Sequence, residues 1–438
     1  MRQRRLLGAL LVCAPMVSGC MDTGNSDGSF LNRFASKEDV KTEQPQARTS
    51  DVQGEPSQVI ATLQTRQSVL PSGSYSTIAT NVLAANARVA EAELRAARLR
   101  AEAQSKNWLP SIGPSISLSS LGDLVANLIL EQVIFDNGRK KAERDFAKAD
   151  VEVAAVALSV DTNERVNDAL SLYLTAEEGR QIARHSDQAL EDMKQFKWIM
   201  NERVKGGVSD MSDLNILNQK LSEIQSDLHR GHEKSSAAMA ELNAMSVLPL
   251  SDLTGIGHVD VSVTSAEPLS VLKALAEQDR DIAQATIERA SNLPGLVATA
   301  SGGTSGSTAG LSVTSDSLFN LGTGATLKAI EAAKEASSRK VSQAQEEANR
   351  KLKSLEQQLI AARRASEESK QLTHQAKKNL DLFQAQYEAG QRQVMDVVGV
   401  YETFSRQQRS RIEHTYTAAR LELAIARELG LLADGDEI

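Results

Sequence analysis

Residues 107–138 read NWLPSIGPSISLSSLGDLVANLILEQVIFDNG, and this stretch decides the fold. Leu109-Pro110 ends the helical pattern that precedes it. The residues that follow alternate between small polar and apolar side chains, which is the period of a β-strand with two different faces. Gly122-Asp123 is a turn signal, and a second apolar run ends at Phe135. The stretch therefore predicts a β-hairpin at 110–135.

The same layout occurs a second time along the chain. Pro294 follows Pro110 by 184 residues and Phe319 follows Phe135 by 184, so each proline precedes its phenylalanine by 25 residues. Constant spacing of this kind is typical of an internal duplication. It predicts a second, weaker hairpin at 294–319 around a turn rich in Gly, Ser and Thr.

A very long helix is predicted after each hairpin. The tracts 139–205 and 323–388 contain no proline, and apolar residues in the second recur at steps of three and four, as in a coiled coil. At about 1.5 Å per residue, each tract makes a rod of roughly 100 Å. Glycine-containing turns and shorter helices follow, with the turns at 206–212 and 389–394 and the helices at 213–246 and 395–430.

The first residues have the pattern of a bacterial lipoprotein signal. A basic start and the apolar run Leu6–Val17 precede Val17-Ser18-Gly19-Cys20, which matches a lipobox better than an ordinary signal with a chance cysteine. We therefore predict lipidation at Cys20, and Met21 after it favours sorting to the outer membrane. The predicted layout is a signal peptide at 1–19, a lipidated extended tether at 20–72, repeat 1 at 73–248, a connector at 249–268, repeat 2 at 269–432 and a short tail at 433–438.

Composition and motifs exclude several function classes. The net charge of −8 argues against a nucleic-acid partner. No phosphate-loop, zinc or nucleophile-elbow motif occurs, so we predict no enzyme activity, no cofactor and no metal site. His229 and His232 lie three residues apart, but nothing near them completes a metal site.

The strand count has a consequence for assembly. Four strands cannot close a barrel or cover their own edges. Neighbouring copies of the chain must therefore complete the wall, and three copies would supply twelve strands.

Together these features resemble the TolC family of outer-membrane efflux and secretion channels over residues 73–432. The shared features are the lipobox, Leu-Pro before a hairpin, Phe-Asp-x-Gly after it, a very long helix, a Gly-x5-Asp-Leu turn and the duplication. The resemblance implies a mainly α fold with a small β part. Three protomers would form a trimeric α-barrel of long helical hairpins, and each would contribute four strands to a shared twelve-stranded β-barrel.

The resemblance also implies a function and partners. The homotrimer would be a passive exit duct in the outer membrane that extends into the periplasm. It would work with a periplasmic adaptor protein and an inner-membrane transporter, either an ABC transporter or a proton-driven pump, in drug efflux or type I secretion. The alternative is a structural coiled-coil periplasmic lipoprotein, which explains the helices but needs no strands. A periplasmic adaptor would show one helical hairpin rather than two.

By the same resemblance, residues at the tip turns would hold the periplasmic entrance shut. Tyr387 and Arg392, close to Gly390, match a tyrosine and an arginine that bond to an aspartate of the first tip in the family. Asp213, six residues after Gly207, matches that aspartate, and Ser212 stands where the family has a threonine. Capping of the following helix is an equally good interpretation of Asp213.

A second set of tip residues concerns the width and selectivity of the entrance. Asp396 matches one of two constriction aspartates in the family and would form a ring of three carboxylates in the trimer. The position of the second aspartate is Gly399, a departure from the family pattern. Gly206, Gly207 and Gly390 are the predicted glycines of the tip turns.

Overall fold

The computed structural model describes residues 57–85, 89–118, 124–261, 266–303, 306–315 and 323–435. The predicted signal peptide, Cys20, Phe319 and most of the predicted tether lie outside these ranges. Eight helices and four strands occur within them. The helices are α1 Gln58–Gln64, α2 Ser74–Ala84, α3 Val89–Ser105, α4 Arg139–Lys205, α5 Met211–Met245, α6 Leu269–Ser291, α7 Thr323–Glu388 and α8 Val394–Glu428, and the strands are β1 Ser111–Leu118, β2 Leu124–Phe135, β3 Gly295–Gly303 and β4 Gly306–Thr314.

The predicted fold class, mainly α with a small β part, is confirmed. One detail differs from the prediction, because part of the segment predicted as an extended tether is helical. Helix α1 packs against α4 and α6, and Val59 and Leu63 are buried there. Ser57 accepts a hydrogen bond from the backbone N–H of Ile60 and so caps the helix. A short amphipathic helix can fold here because a neighbouring surface buries its apolar side.

The two predicted hairpins form one antiparallel sheet in the order β1-β2-β3-β4. Strands β2 and β3 join the two repeats, and their register shifts by one residue between Val133 and Phe135. Strands β1 and β4 are the edges of this sheet, and each pairs with a single strand among the described residues. The outer edges therefore present backbone N–H and C=O groups to a further strand.

The register gives the sheet two chemically different faces. Ile112 lies opposite Leu130 and Leu296 lies opposite Val313, so apolar side chains of all four strands share one face. Ile112, Leu130 and Val313 are exposed, and Leu311 has an exposed fraction of 70%, whereas Leu296 is half-buried. The other face carries polar side chains in addition to some apolar ones, and its polar residues include Ser111, Ser115, Asn127, Glu131, Thr299, Ser301, Thr308, Ser312 and Thr314.

Helix α4 is the centre of the helical body. It packs against α5, α6, α8, α3, α2 and α1, and it continues through Gly179, which lies where α4 crosses α5. A Cβ atom at Gly179 would lie 2.8 Å from the carbonyl oxygen of Gly231 on α5. Glycine at both positions lets the two backbones approach more closely than any other residue would allow.

Residues 66–69 and 429–432, near the two ends of the described chain, are hydrogen-bonded to one another beside α4. The backbone N–H of Val69 donates to Leu431 O at 2.9 Å, and that of Leu432 donates to the Asn163 side chain at 2.8 Å. The buried Arg66 guanidinium donates to Leu429 O at 2.7 Å and to Glu267 O at 2.6 Å. Among the described helices, none combines the length and the apolar character that a membrane crossing requires.

Candidate functional site

The turn between α4 and α5, the first tip, is closed by its own backbone. The N–H of Gly207 donates to Val204 O at 3.0 Å, and the N–H of Val208 donates to Arg203 O at 2.9 Å. Gly207 has a φ of +71°, a conformation that costs glycine almost nothing. This pair of bonds is the Schellman motif, which satisfies the last carbonyl groups of α4.

The turn between α7 and α8, the second tip, repeats this geometry. Gly390 has a φ of +74°, and its N–H donates to Tyr387 O at 2.9 Å. The N–H of Gln391 donates to Gln386 O at 2.9 Å. The two tips, 183 residues apart by their glycines, are therefore the same structural motif, and glycine is required by the positive φ.

The carboxylates that follow each tip glycine cap helices. Asp210 accepts a hydrogen bond from Ser212 N at 3.3 Å at the start of α5, and this bond holds the pKa of Asp210 below its usual value. Asp396 accepts one from Gln393 N at 3.2 Å at the start of α8. Asp213 lies half-buried in the first turn of α5, where the helix dipole favours a negative charge.

The predicted latch residues lie at both tips, Ser212 and Asp213 at the first and Tyr387 and Arg392 at the second, and the structure shows no hydrogen bond or ion pair between the two pairs within the described chain. Arg392 donates from Nε to Gln386 Oε1 at 3.0 Å, and its guanidinium lies 4.5 Å from the ring centroid of Phe383. No hydrogen bond or ion pair joins Arg392 to Asp213 in the described structure. Tyr387 is half-buried and packs against an apolar cluster. The latch stays a prediction.

That apolar cluster, the tip cluster, brings the two tips together. It contains side chains of α4, α5, α7 and α8, and its buried members are Ala189, Met193, Phe196, Met200, Leu217, Leu380, Val394, Val397, Val398 and Tyr401. Because the cluster is shared, a movement of α7 and α8 relative to α4 and α5 would expose part of it to water.

A set of polar contacts above the tips was not predicted from the sequence. Tyr401 donates from its hydroxyl to Asp192 Oδ2 at 2.7 Å, and Ser405 lies 2.9 Å from His185 Nε2. Arg409 is ion-paired with Asp227. We call these three contacts the α8 ladder, since each joins α8 to α4 or α5.

Burial and charge change the titration of the ladder groups. Burial, followed by the bond to Asp192, raises the pKa of Tyr401. Burial and then the charge of Arg409 lower the pKa of His185. Burial alone would raise the pKa of Asp227, but the hydrogen bonds and charges of Arg409 and Arg230 together outweigh burial and hold that pKa below its usual value. At neutral pH the ladder therefore has a protonated tyrosine, a carboxylate paired with arginine, and a histidine biased towards its neutral form.

The proposed constriction positions are open. Asp396 is exposed, and Gly399 has no atom within 4 Å of an added Cβ. The chain therefore presents one carboxylate and one bare backbone position on this part of α8.

Neither a family model nor a curated protein sequence matches the chain. Solved structures do match: a membrane protein from Pseudomonas aeruginosa has a TM-score of 0.71 at 15% identity and covers 89% of this chain and 96% of its own. The outer membrane protein VceC from Vibrio cholerae has a TM-score of 0.67 at 14% identity and covers 85% and 95%.

The Campylobacter jejuni outer membrane channel CmeC has a TM-score of 0.69 at 12% identity and covers 83% of this chain and 86% of its own. The chain therefore has the fold of TolC-like outer-membrane channels, as predicted.

Proposed function

We propose that the chain is one protomer of a trimeric, passive exit duct in the outer membrane, and not an enzyme. The observation that carries this proposal is the four-stranded sheet, with its exposed apolar face, its largely polar opposite face and its two open edges. Three such sheets joined edge to edge give a wall of twelve strands. The apolar face would meet lipid and the opposite face would line a water-filled lumen.

The exposure of α7 supports the same assembly. It packs against α6 and α8, yet Ile360, Leu372 and Leu382 on it are about half exposed. Apolar side chains in such a long row are expected to be covered by another helix. The neighbouring protomer supplies that helix in the proposed α-barrel, which extends into the periplasm.

The finer parts of the proposal come from the sequence and from the likeness of the fold. Cys20 carries the lipid anchor, and the tips bind a periplasmic adaptor and an inner-membrane transporter, in efflux or type I secretion. The latch of Tyr387 and Arg392 with Asp213 and Ser212 of a neighbouring copy keeps the entrance closed at rest. Asp396 from three copies forms an acidic ring that attracts cations.

A pair of matched variants tests the duct. Leu311 and Ser312 are adjacent in β4 and lie on opposite faces of the sheet. An arginine on the lipid side of a membrane strand costs about 2–4 kcal/mol near the bilayer centre, and a trimer would contain three of them. We expect Leu311→Arg to abolish heat-modifiable trimers in outer-membrane fractions, whereas Ser312→Arg assembles.

Two results would contradict the proposal. One is assembly of Leu311→Arg as efficient as that of the wild type, because the apolar face would then not meet lipid. The other is release of soluble monomers once the anchor is removed by Cys20→Ser.

A further inference from the structure

A cleft of about 510 Å³ lies where the sheet meets the helices. It is lined at the end of α3 and the start of β1 by Lys106, Asn107 and Trp108, and at the start of α4 by Lys141 and Arg144. We call it the basal cleft. None of the predicted functional residues belongs to it.

The charge at the start of α4 is unusual for a helix N-terminus. Residues 139–141 are Arg-Lys-Lys, and the first turn contains no acidic residue. The N-terminal end of a helix already carries a partial positive charge, so cations there are unfavourable unless an anion is near. Two carboxylates next to the turn are occupied: Asp136 accepts the N–H groups of Gly138 and Lys140 at 3.1 and 2.6 Å, and Glu143 accepts Arg139 Nε at 3.1 Å.

Two cations of the cleft have no carboxylate partner in the described structure. Arg144 donates from Nη1 to the neutral Asn107 Oδ1 at 2.7 Å. Lys141 is exposed and forms no ion pair with any described residue. Lys106, the residue after the end of α3, is paired with Glu102 of that helix at 3.3 Å. With Lys140 the cleft has four cations, whereas its acids are Glu131 and Asp136, so the cations outnumber the acids.

The rim of the cleft is apolar and continues into the apolar face of the sheet. Trp108 is 62% exposed, and Leu109, Ile134 and Phe135 are also exposed beside it. Ile112, the next apolar residue of β1, belongs to the apolar face. Tryptophan beside lysine and arginine at the end of an apolar surface is the side-chain chemistry of a membrane–water boundary.

We propose that the basal cleft binds the phosphate headgroup of an anionic membrane phospholipid. Lys141 and Arg144 contact the phosphate, and Trp108 lies at the level of the headgroups beside them. The membrane is the source of the phosphate because the rim is continuous with the lipid-facing side of the sheet. The inference rests on the proposed function, since it requires the apolar face to be in a bilayer.

The first experiment measures lipid retention by native mass spectrometry. Trimers are equilibrated in mixed micelles containing equal amounts of POPC and POPG, and the ratio of retained POPG to POPC is counted. We expect the wild type to retain POPG preferentially, and Lys141→Gln/Arg144→Gln to lose that preference by about fivefold for each cation removed. Lys141→Arg/Arg144→Lys should restore it, which excludes a general folding defect.

The matched control removes the same charge from the same helix far from the sheet. Lys194 and Lys205 are exposed cations near the tip end of α4. Lys194→Gln/Lys205→Gln should leave the POPG preference unchanged. Excess inorganic phosphate should not displace POPG. If it did, the cleft would be a site for a free anion, and the proposal that it binds a lipid headgroup would be wrong.

The second experiment separates failure of this inference from failure of the proposed function. The chain has two tryptophans, so Trp198→Phe leaves Trp108 as the sole indole fluorophore. In proteoliposomes, bromine-labelled phospholipid should quench Trp108. An unquenched Trp108 would overturn the placement in the membrane itself. Quenching of Trp108 without any POPG preference would overturn the headgroup site alone.

Discussion

The crossing of α4 and α5 at Gly179 can be tested by adding a single methyl group. A Cβ atom there would lie 2.8 Å from Gly231 O and 2.9 Å from Ser235 N, both of them backbone atoms of α5. Backbone of a long helix cannot rotate aside as a side chain could, so the two helices would have to separate. Overpacking of this kind costs typically about 1–3 kcal/mol.

The higher helix propensity of alanine opposes the destabilisation by overpacking, so the experiment needs a control variant. Alanine is favoured over glycine inside a helix by about 1 kcal/mol, so the net destabilisation by Gly179→Ala is about 0–2 kcal/mol. Gly399 lies in the interior of α8 with no atom within 4 Å of an added Cβ. Gly399→Ala therefore gains helix propensity without a steric clash. The difference in unfolding free energy between Gly399→Ala and Gly179→Ala then measures the steric cost at the crossing of α4 and α5.

The assay is thermal unfolding followed by helical circular dichroism. With an unfolding entropy of about 2.1 cal/mol/K per residue, 1 kcal/mol shifts the Tm of a chain of this size by roughly 1 °C. We expect Gly399→Ala to melt about 1–3 °C above Gly179→Ala, and Gly231→Ala to behave like Gly179→Ala. Equal upward shifts in all three variants would refute the close approach of the two helices.

Three further predictions concern the tips and the α8 ladder. Arg392→Ser and Tyr387→Phe should each raise single-channel conductance in a planar bilayer, because the proposed latch is weakened; unchanged conductance in both and in the double variant would remove the latch. Asp396→Asn should lower the cation preference of the channel, measured as a reversal potential in a salt gradient, and an unaltered potential would exclude the acidic ring. His185→Gln should reduce the loss of thermal stability between about pH 7 and pH 5.5. The folded-state pKa of His185 lies below its ordinary value of 6.5, so the unfolded chain takes up the proton first and stability is lost as the pH falls; the same pH dependence in variant and wild type would contradict this assignment.

Much of the architecture could be predicted because its signals are local. Proline, glycine and the alternation of polar with apolar residues can each be recognised within a few neighbouring positions. These signals predicted both hairpins and both tips. Helix α1, which lies within the segment predicted as a tether, is the opposite case. A seven-residue helix such as α1 has too few local signals to be recognised, because its stability comes from packing on α4 and α6 rather than from its own sequence.

The α8 ladder could not have been predicted, because its partners are far apart in sequence. Tyr401 and Asp192 are separated by 209 residues, and Arg409 and Asp227 by 182. Which side chains meet depends on the axial alignment of four helices over many turns, and a single sequence does not fix that alignment. The basal cleft has a similar origin: its cations are evident in the sequence, but only the folded chain shows that Lys141 and Arg144 have no carboxylate partner among the described residues.

The two repeats have helices of nearly equal length but bury them very differently. Helix α4 has 67 residues and α7 has 66. Helix α4 packs against six other helices, whereas α7 packs along α6 and α8 and leaves apolar side chains such as Ile360 and Leu372 half exposed. If the second repeat packed only within its own chain, the apolar side chains of α7 would remain in contact with water. Exposed apolar surface costs free energy in water, so packing of α7 against another chain is favoured. The first repeat therefore acts as the internal scaffold, and the second supplies the surface on which the proposed neighbouring protomer packs.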